Sequence, residues 1–189
     1  MGMGIIVTII VVVGILLLGL GVMGMYNGLV RGRNDVEEAF STMDVYLKKR
    51  HDMIPNLVAT VKAYAKHEAE TLEKVIMARN ESAPMAERIE QEKEISAGIR
   101  NLMVRCEAYP ELKANTNFLH LQEQLVEIEG DIEKSRRYYN GTARQQNNRV
   151  QTVPTNIVAN MFGFEKVPYF QVDDASERKN VDLASAFGV

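Results

Sequence analysis

The stretch KKRHDMIPNLVATV, Lys48 to Val61, allows four readings: a basic patch, a catalytic His-Asp pair, a break between domains, or a kink inside one long helix. Spacing decides between them. Val36, Met43, Leu57 and Tyr64 share one position of a seven-residue repeat, with Arg50 filling the remaining slot. Phe40, Leu47, Ile54, Val61 and Val75 make the companion stripe, with Glu68 as its exception. This is the a/d pattern of a coiled coil, with no sustained period of two that would suggest a strand. Its phase passes through Pro55 unchanged. A linker between domains has no reason to keep that phase, whereas a bent helix does. Proline removes one backbone bond and pushes the preceding turn aside. Helical structure is therefore predicted from about Leu29 to Arg79, bent or broken near Ile54. If it is broken, Pro55 takes the first turn of a new segment.

Upstream, the first thirty residues carry no charged side chain, and Ile5 to Met25 is almost wholly Ile, Val, Leu, Met and Gly. As a helix this run spans roughly 31 Å, the thickness of a bilayer's hydrocarbon core. A cleaved signal peptide would want a basic start, a shorter apolar core and an A-x-A-like site. A lipoprotein anchor would want a nearby cysteine, and myristoylation needs Ser or Thr where Ile6 stands. Residues 1–28 read as an uncleaved transmembrane anchor in contact with lipid through residues 5–25. Arg31 and Arg33 follow it, then Lys48, Lys49 and Arg50. The positive-inside rule then places the body of the protein in the cytoplasm and a short N-terminus outside a cell (plasma or inner) membrane.

Downstream, NESAPMAE (Asn80 to Glu87) marks a turn, with Ser82 and Pro84 as breaker and cap. A helix is predicted from about Pro84 to Ala108, with Ile95, Ile99, Leu102, Cys106 and Tyr109 as its stripe. Pro110 turns another corner. A long helix follows from about Glu111 to Gln151, with Leu121, Leu125, Ile128, Ile132, Ser135 and Tyr139 inward. VPTNIVANMFGF predicts a short helix started by Pro154 and ended by Gly163. Each helix has one apolar face and cannot bury it alone. The fold class is thus all-α: an N-terminal transmembrane helix followed by an antiparallel four-helix-type bundle over residues 29–170, with a tail over 171–189.

Composition narrows the function. A net charge of −3 argues against a basic nucleic-acid binder. Cys106 is the single cysteine, so no intrachain disulfide or cysteine-based metal site can form. It sits on an apolar stripe, as a buried thiol would. His51 and Asp52 are sequence neighbours and point to different faces of a helix. HEAET at His67 to Thr71 lacks the second histidine of a zinc helix, because Thr71 occupies its place. A di-iron bundle needs an acid three residues before each histidine, where Lys48, Tyr64 and Asn117 stand. No catalytic residue, metal or cofactor is assigned, and the chain is not read as an enzyme. Lys48, Lys49 and Arg50, with Asn115 and Asn117 at the NTNF corner, are the candidate contacts for a partner or lipid; capping could explain the two amides. Gly24, Gly28 and Gly32 give overlapping small-xxx-small steps, which makes a homo-oligomer through the anchor one reading.

Three longer phrases then carry a family resemblance. YNGLVRGRNDVEEAFSTMDVYLKKRHDMIPNLVATVKAYAKHE (Tyr26 to Glu68), EAYPELKANTNFLHLQEQLVEIEGDIEKSRRYYN (Glu107 to Asn140) and VPTNIVANMFGF (Val153 to Phe164) closely resemble the LemA family. Ala143, Gln146 and Val153 depart from it, standing where larger aliphatic or aromatic residues are more usual. The resemblance implies a membrane-anchored helical bundle of bacterial type, and it carries no catalytic residue over. The sequence therefore suggests a single-pass membrane scaffold or adaptor that meets other membrane or cytoplasmic proteins and no nucleic acid. The alternatives are a membrane-bound signalling or enzymatic component with a site in a bundle groove, and a self-assembling membrane organiser.

Overall fold

The computed structural model describes residues 2–66, 69–70, 73, 77, 80 and 82–170. The expectations for Glu68, Val75, Arg79 and the tail over 171–189 fall outside the described residues. The elements are α1 (Gly2–Lys62), α2 (Met85–Cys106), α3 (Pro110–Lys113), α4 (Thr116–Gln151) and α5 (Thr155–Met161). Among the described residues there is no strand.

Anchor and first bundle helix are one element of 61 residues. It runs through Gly28–Leu29 and through Pro55 without interruption. Of the two alternatives near Ile54, bent or broken, the break does not occur, and energetics explain why. Pro55 is exposed, while Ile54, Leu57 and Val58 beside it are buried. A helix-interior proline costs about 3 kcal/mol, but each large buried side chain returns about 1.5–3 kcal/mol. Packing on the inner face outweighs one lost bond on the outer face.

The chain turns instead at Ala63–Ala65, where the amides of Tyr64 and Ala65 both donate to Val61 O, at 2.9 and 2.7 Å. Beyond Val61 the stripe positions pass to Tyr64 and Glu68, which reward a straight continuation poorly. Turning back buries Ala65 and Ala69 instead. Lys66, Ala69, Glu70, Glu73 and Met77 are helical. Glu73 pairs with Lys62 at 3.8 Å, and Met77 shares a groove with Pro55 and Val58, so this segment returns along α1.

Polar pairs fix the directions of the other helices. Asp44 meets Arg88 and Arg50 meets Glu92, so α2 runs parallel to α1. Gly28 lies opposite Arg149, Arg50 opposite Glu129 and Tyr64 opposite Asn115, so α4 runs antiparallel to α1 along its whole length. The result is an up-down-up-down bundle.

The core forms three tiers along α1. Leu29 packs with Val150, Val158 and Ala159 at the lower end. Val36, Phe40, Met43 and Leu47 meet Ile89, Ile132 and Tyr139 in the middle. Ile54, Leu57 and Val61 meet Ile95, Ile99, Leu102 and Leu125 at the top. The apolar run of Ile5 to Leu20 lies below all three and is exposed throughout.

Cap chemistry sets the remaining boundaries. The sequence suggests one helix from about Glu111. Instead a single turn, α3, is followed by Ala114 and a fresh start at Asn115, whose side chain accepts from Phe118 N at 3.1 Å. Helix α5 ends as expected at Gly163, whose φ is 70°. Phe164 N donates to Ala159 O at 2.9 Å, the long bond of a Schellman motif.

Candidate functional site

Arg50 is the centre of a buried polar cluster among the described residues. It occupies the a slot between Met43 and Leu57 and is 1% exposed. Its guanidinium donates to Glu92 Oε2 at 2.6 Å, to Glu129 Oε1 at 2.7 Å and to Ser96 Oγ at 2.6 Å. A longer contact of 3.4 Å reaches Glu92 O. Three helices thus meet on one fork-shaped cation. Glu92 is buried with it, while Glu129 reaches in from a half-exposed position. The cluster separates the middle and top apolar tiers. Burying such ions is costly, and replacing a whole buried pair by apolar groups is often neutral. The intact cluster is therefore expected to add little net stability over an apolar core.

This divides the basic stretch. Lys48 and Lys49 are exposed, but Arg50 turns inward and cannot form a surface patch with them. The heptad had already given Arg50 an inner slot, and its charge drew the outward reading. Lys49 Nζ sits 5.4 Å from the Tyr46 ring and borders a groove of about 410 Å³ between α1 and α4. Asp52, Glu127, Ile128 and Asp131 also line it, which makes its charge mostly acidic.

At the far corner, Asn115 is committed to structure. Besides capping α4, its Nδ2 donates to Tyr64 OH at 3.2 Å. Asn117, two residues on, is exposed. His51 is half-buried and Asp52 exposed, on separate faces of α1. Among the described residues no three His, Cys, Asp or Glu side chains group as a metal site would require.

Sequence reasoning missed the amides of α4. Asn147 accepts from Val167 N at 2.7 Å and donates to Val167 O at 2.9 Å. Asn140 does the same with Phe170, at 2.9 Å in both directions. The two sit one heptad apart and hold the segment after α5 as a neighbouring strand would. Tyr139, fully buried, donates to Pro168 O at 2.7 Å between them, and burial pushes its phenol above the usual tyrosine range. This strap covers the core below Met85, where α2 begins. Two of the three positions noted as departures are built into the bundle nearby, while Val153 is exposed. Ala143 is buried, and Gln146 Nε2 donates to Leu29 O at 3.2 Å. Gly32 faces the ends of the Gln146 and Arg149 side chains, which would have to shift to admit a Cβ. Its part in the small-residue pattern is thus taken up inside the chain, while Gly24 and Gly28 have nothing within 4 Å of a Cβ position.

Bundle, strap and bare apolar helix together define a class: an all-helical bundle continuous with a helix long and apolar enough to cross a membrane, of which none of the apolar window is buried within the chain. The LemA family model matches residues 39–184, well over half of the sequence, and the chain belongs to the LemA family. It is 29% identical over 164 residues to Protein LemA of Metamycoplasma hominis, covering 85% of this chain and 74% of that one. Magnetosome protein MamQ of Magnetospirillum gryphiswaldense is 23% identical over 181 residues, covering 80% of this chain and 66% of its own. Magnetosome protein MamQ 2 of Paramagnetospirillum magneticum is 33% identical over 76 residues, covering 40% of this chain and 28% of its own.

Proposed function

We propose that the protein is a single-pass membrane scaffold or adaptor, with a short N-terminus outside and the bundle in the cytoplasm. The supporting observation is the unbroken α1, which makes the apolar span and the inner wall of the bundle one rod. Such a rod holds a recognition surface at a fixed height. Lys49 lies about 36 Å beyond Met25 at 1.5 Å per residue, far more than the Debye length of about 8–10 Å in physiological salt. Lys48 and Lys49 are therefore assigned to a protein partner rather than to the headgroups beneath, with Asn117 as a second contact at the distal corner. Photo-crosslinkers placed at Val45, exposed one turn before Lys49, and at Asn117 in native membranes test this. Repeated capture of the same protein, abolished by Lys48→Glu with Lys49→Glu, is the expected result. A capture pattern unchanged by charge reversal would remove the lysines from the assignment.

A second reading, self-association through the anchor, draws on Gly14, Gly21 and Gly24, which leave open space on α1. It predicts dimers or larger species in mild detergent that Gly24→Leu disperses. A monomer before and after the substitution would exclude it.

A further inference from the structure

Two stretches of the sequence lack charge: the N-terminal run up to Val30, and Val150 to Phe164. They are far apart in sequence and adjacent in the fold. Val158 and Ala159 of α5 are buried against Leu29 and Val150, with Val22 and Met25 packed at the edge. Tyr26 meets the rings of Phe162 and Phe164 at 4.8 and 5.8 Å. Helix α5 therefore sits level with Val22 to Leu29, across the end of the apolar run.

Its remaining surface is unusual for a soluble bundle. Val153 is 77% exposed, Ile157 62%, Met161 71% and Phe162 53%. Ile157 and Met161 stand four residues apart on α5 and share a face away from the buried pair, and Val153 lies exposed in the turn just before the helix. Cations stand just beyond this level. Arg31 and Arg33 are exposed and Arg149 is half-buried, its Nη1 donating to Gly28 O at 3.1 Å. Arg33 also stacks 5.6 Å from the Phe164 ring. An apolar face rimmed by arginines, continuous with a transmembrane helix, matches the boundary between acyl chains and phosphates.

We propose that α5 is a second, interfacial membrane contact: it lies in the headgroup layer of the bilayer that α1 crosses and sinks Val153, Ile157, Met161 and Phe162 among the upper acyl carbons. The arginines beyond it meet lipid phosphates. This rests on the anchored reading above and adds to it. A lone span leaves the bundle free to swivel and tilt, whereas a span with an interfacial side arm fixes both.

The test uses the full chain with Cys106→Ala, reconstituted in vesicles of phosphatidylcholine and phosphatidylglycerol. Single cysteines at Leu16, Ile157 and Val126 carry an environment-sensitive fluorophore, and lipids brominated at shallow or deep acyl positions act as quenchers. Leu16 reports the span, and Val126, exposed on α4, reports water. The expected result is a blue-shifted Ile157 label quenched by the shallow bromines, beside a Leu16 label quenched by the deep ones and an unquenched Val126 label. If Ile157 behaves like Val126 while Leu16 is quenched, the interfacial contact is wrong and the anchor stands. If Ile157 is shielded from water yet unquenched, another copy of the chain covers the patch, and the lipid assignment falls. If Leu16 is not quenched, the anchor reading fails and takes this one with it.

Discussion

Arg50 sits where a leucine would normally sit, and its chemistry makes a specific prediction. Arg50→Ala leaves Glu92 and Glu129 inside the bundle without the cation between them, and unfolding in denaturant should show a loss of about 3–5 kcal/mol. Replacing Arg50, Glu92 and Glu129 together by Met and Leu should recover most of that loss; if the triple variant is as weak as the single one, the charge argument is wrong. Arg50→Lys should not rescue, because an ammonium cannot reproduce the fork that serves three acceptors. Pro55 gives the opposite sign. It lies on the exposed face of an unbroken helix, so Pro55→Ala restores a backbone donor and should stabilise by roughly 1–2 kcal/mol. A loss of stability would mean that the proline ring itself contributes to the fold. Both positions were partly legible in the sequence. The heptad put Arg50 inside and carried the helix through Pro55. What spacing alone could not supply was the acceptors, since Glu92, Ser96 and Glu129 are distant in sequence and come together only through the bundle.

The element scale is where the sequence was least complete. Stripes on α1, α2 and α4 were readable because side-chain period fixes which face is inward. The hairpin at Ala63–Ala65 was not, because Tyr64 keeps the heptad phase and phase says nothing about where a rod doubles back. The strap after α5 left no periodic trace either, being held by two asparagines that look like ordinary surface amides. Asn140→Ala with Asn147→Ala should detach it, which hydrogen exchange at the Val167 and Phe170 amides would reveal as lost protection while α1 and α4 keep theirs. Equal protection in the variant would show that the Phe170 side chain alone suffices. Tyr139 adds a pH dependence. Its phenol is more acidic in the unfolded chain than in the fold, so its contribution is intact below the ordinary value of about 10 and declines as pH rises through it. Thermal scans should show a steeper alkaline fall for the native protein than for Tyr139→Phe; parallel curves would mean that the phenol stays solvated.

For the molecule as a whole, the candidate contacts stay proposals: Lys48, Lys49 and Asn117 are exposed, while Arg50 is buried and Asn115 caps α4. Orientation can be checked directly. A cytoplasm-dependent reporter fused after Val189 should be active, and one active only outside would reverse the assignment of sides.

The uninterrupted α1 has a mechanical consequence. On the anchored reading proposed above, with its lower half in lipid and its upper half in the core, the helix would act as a lever whose fulcrum is the membrane surface. A thinner bilayer tilts an over-long span, and a tilt of about 10° would carry Lys49 sideways by roughly 6 Å on its arm of about 36 Å. Bilayer thickness would thereby become a displacement at the far end of the bundle, with α5 as the outrigger that resists it.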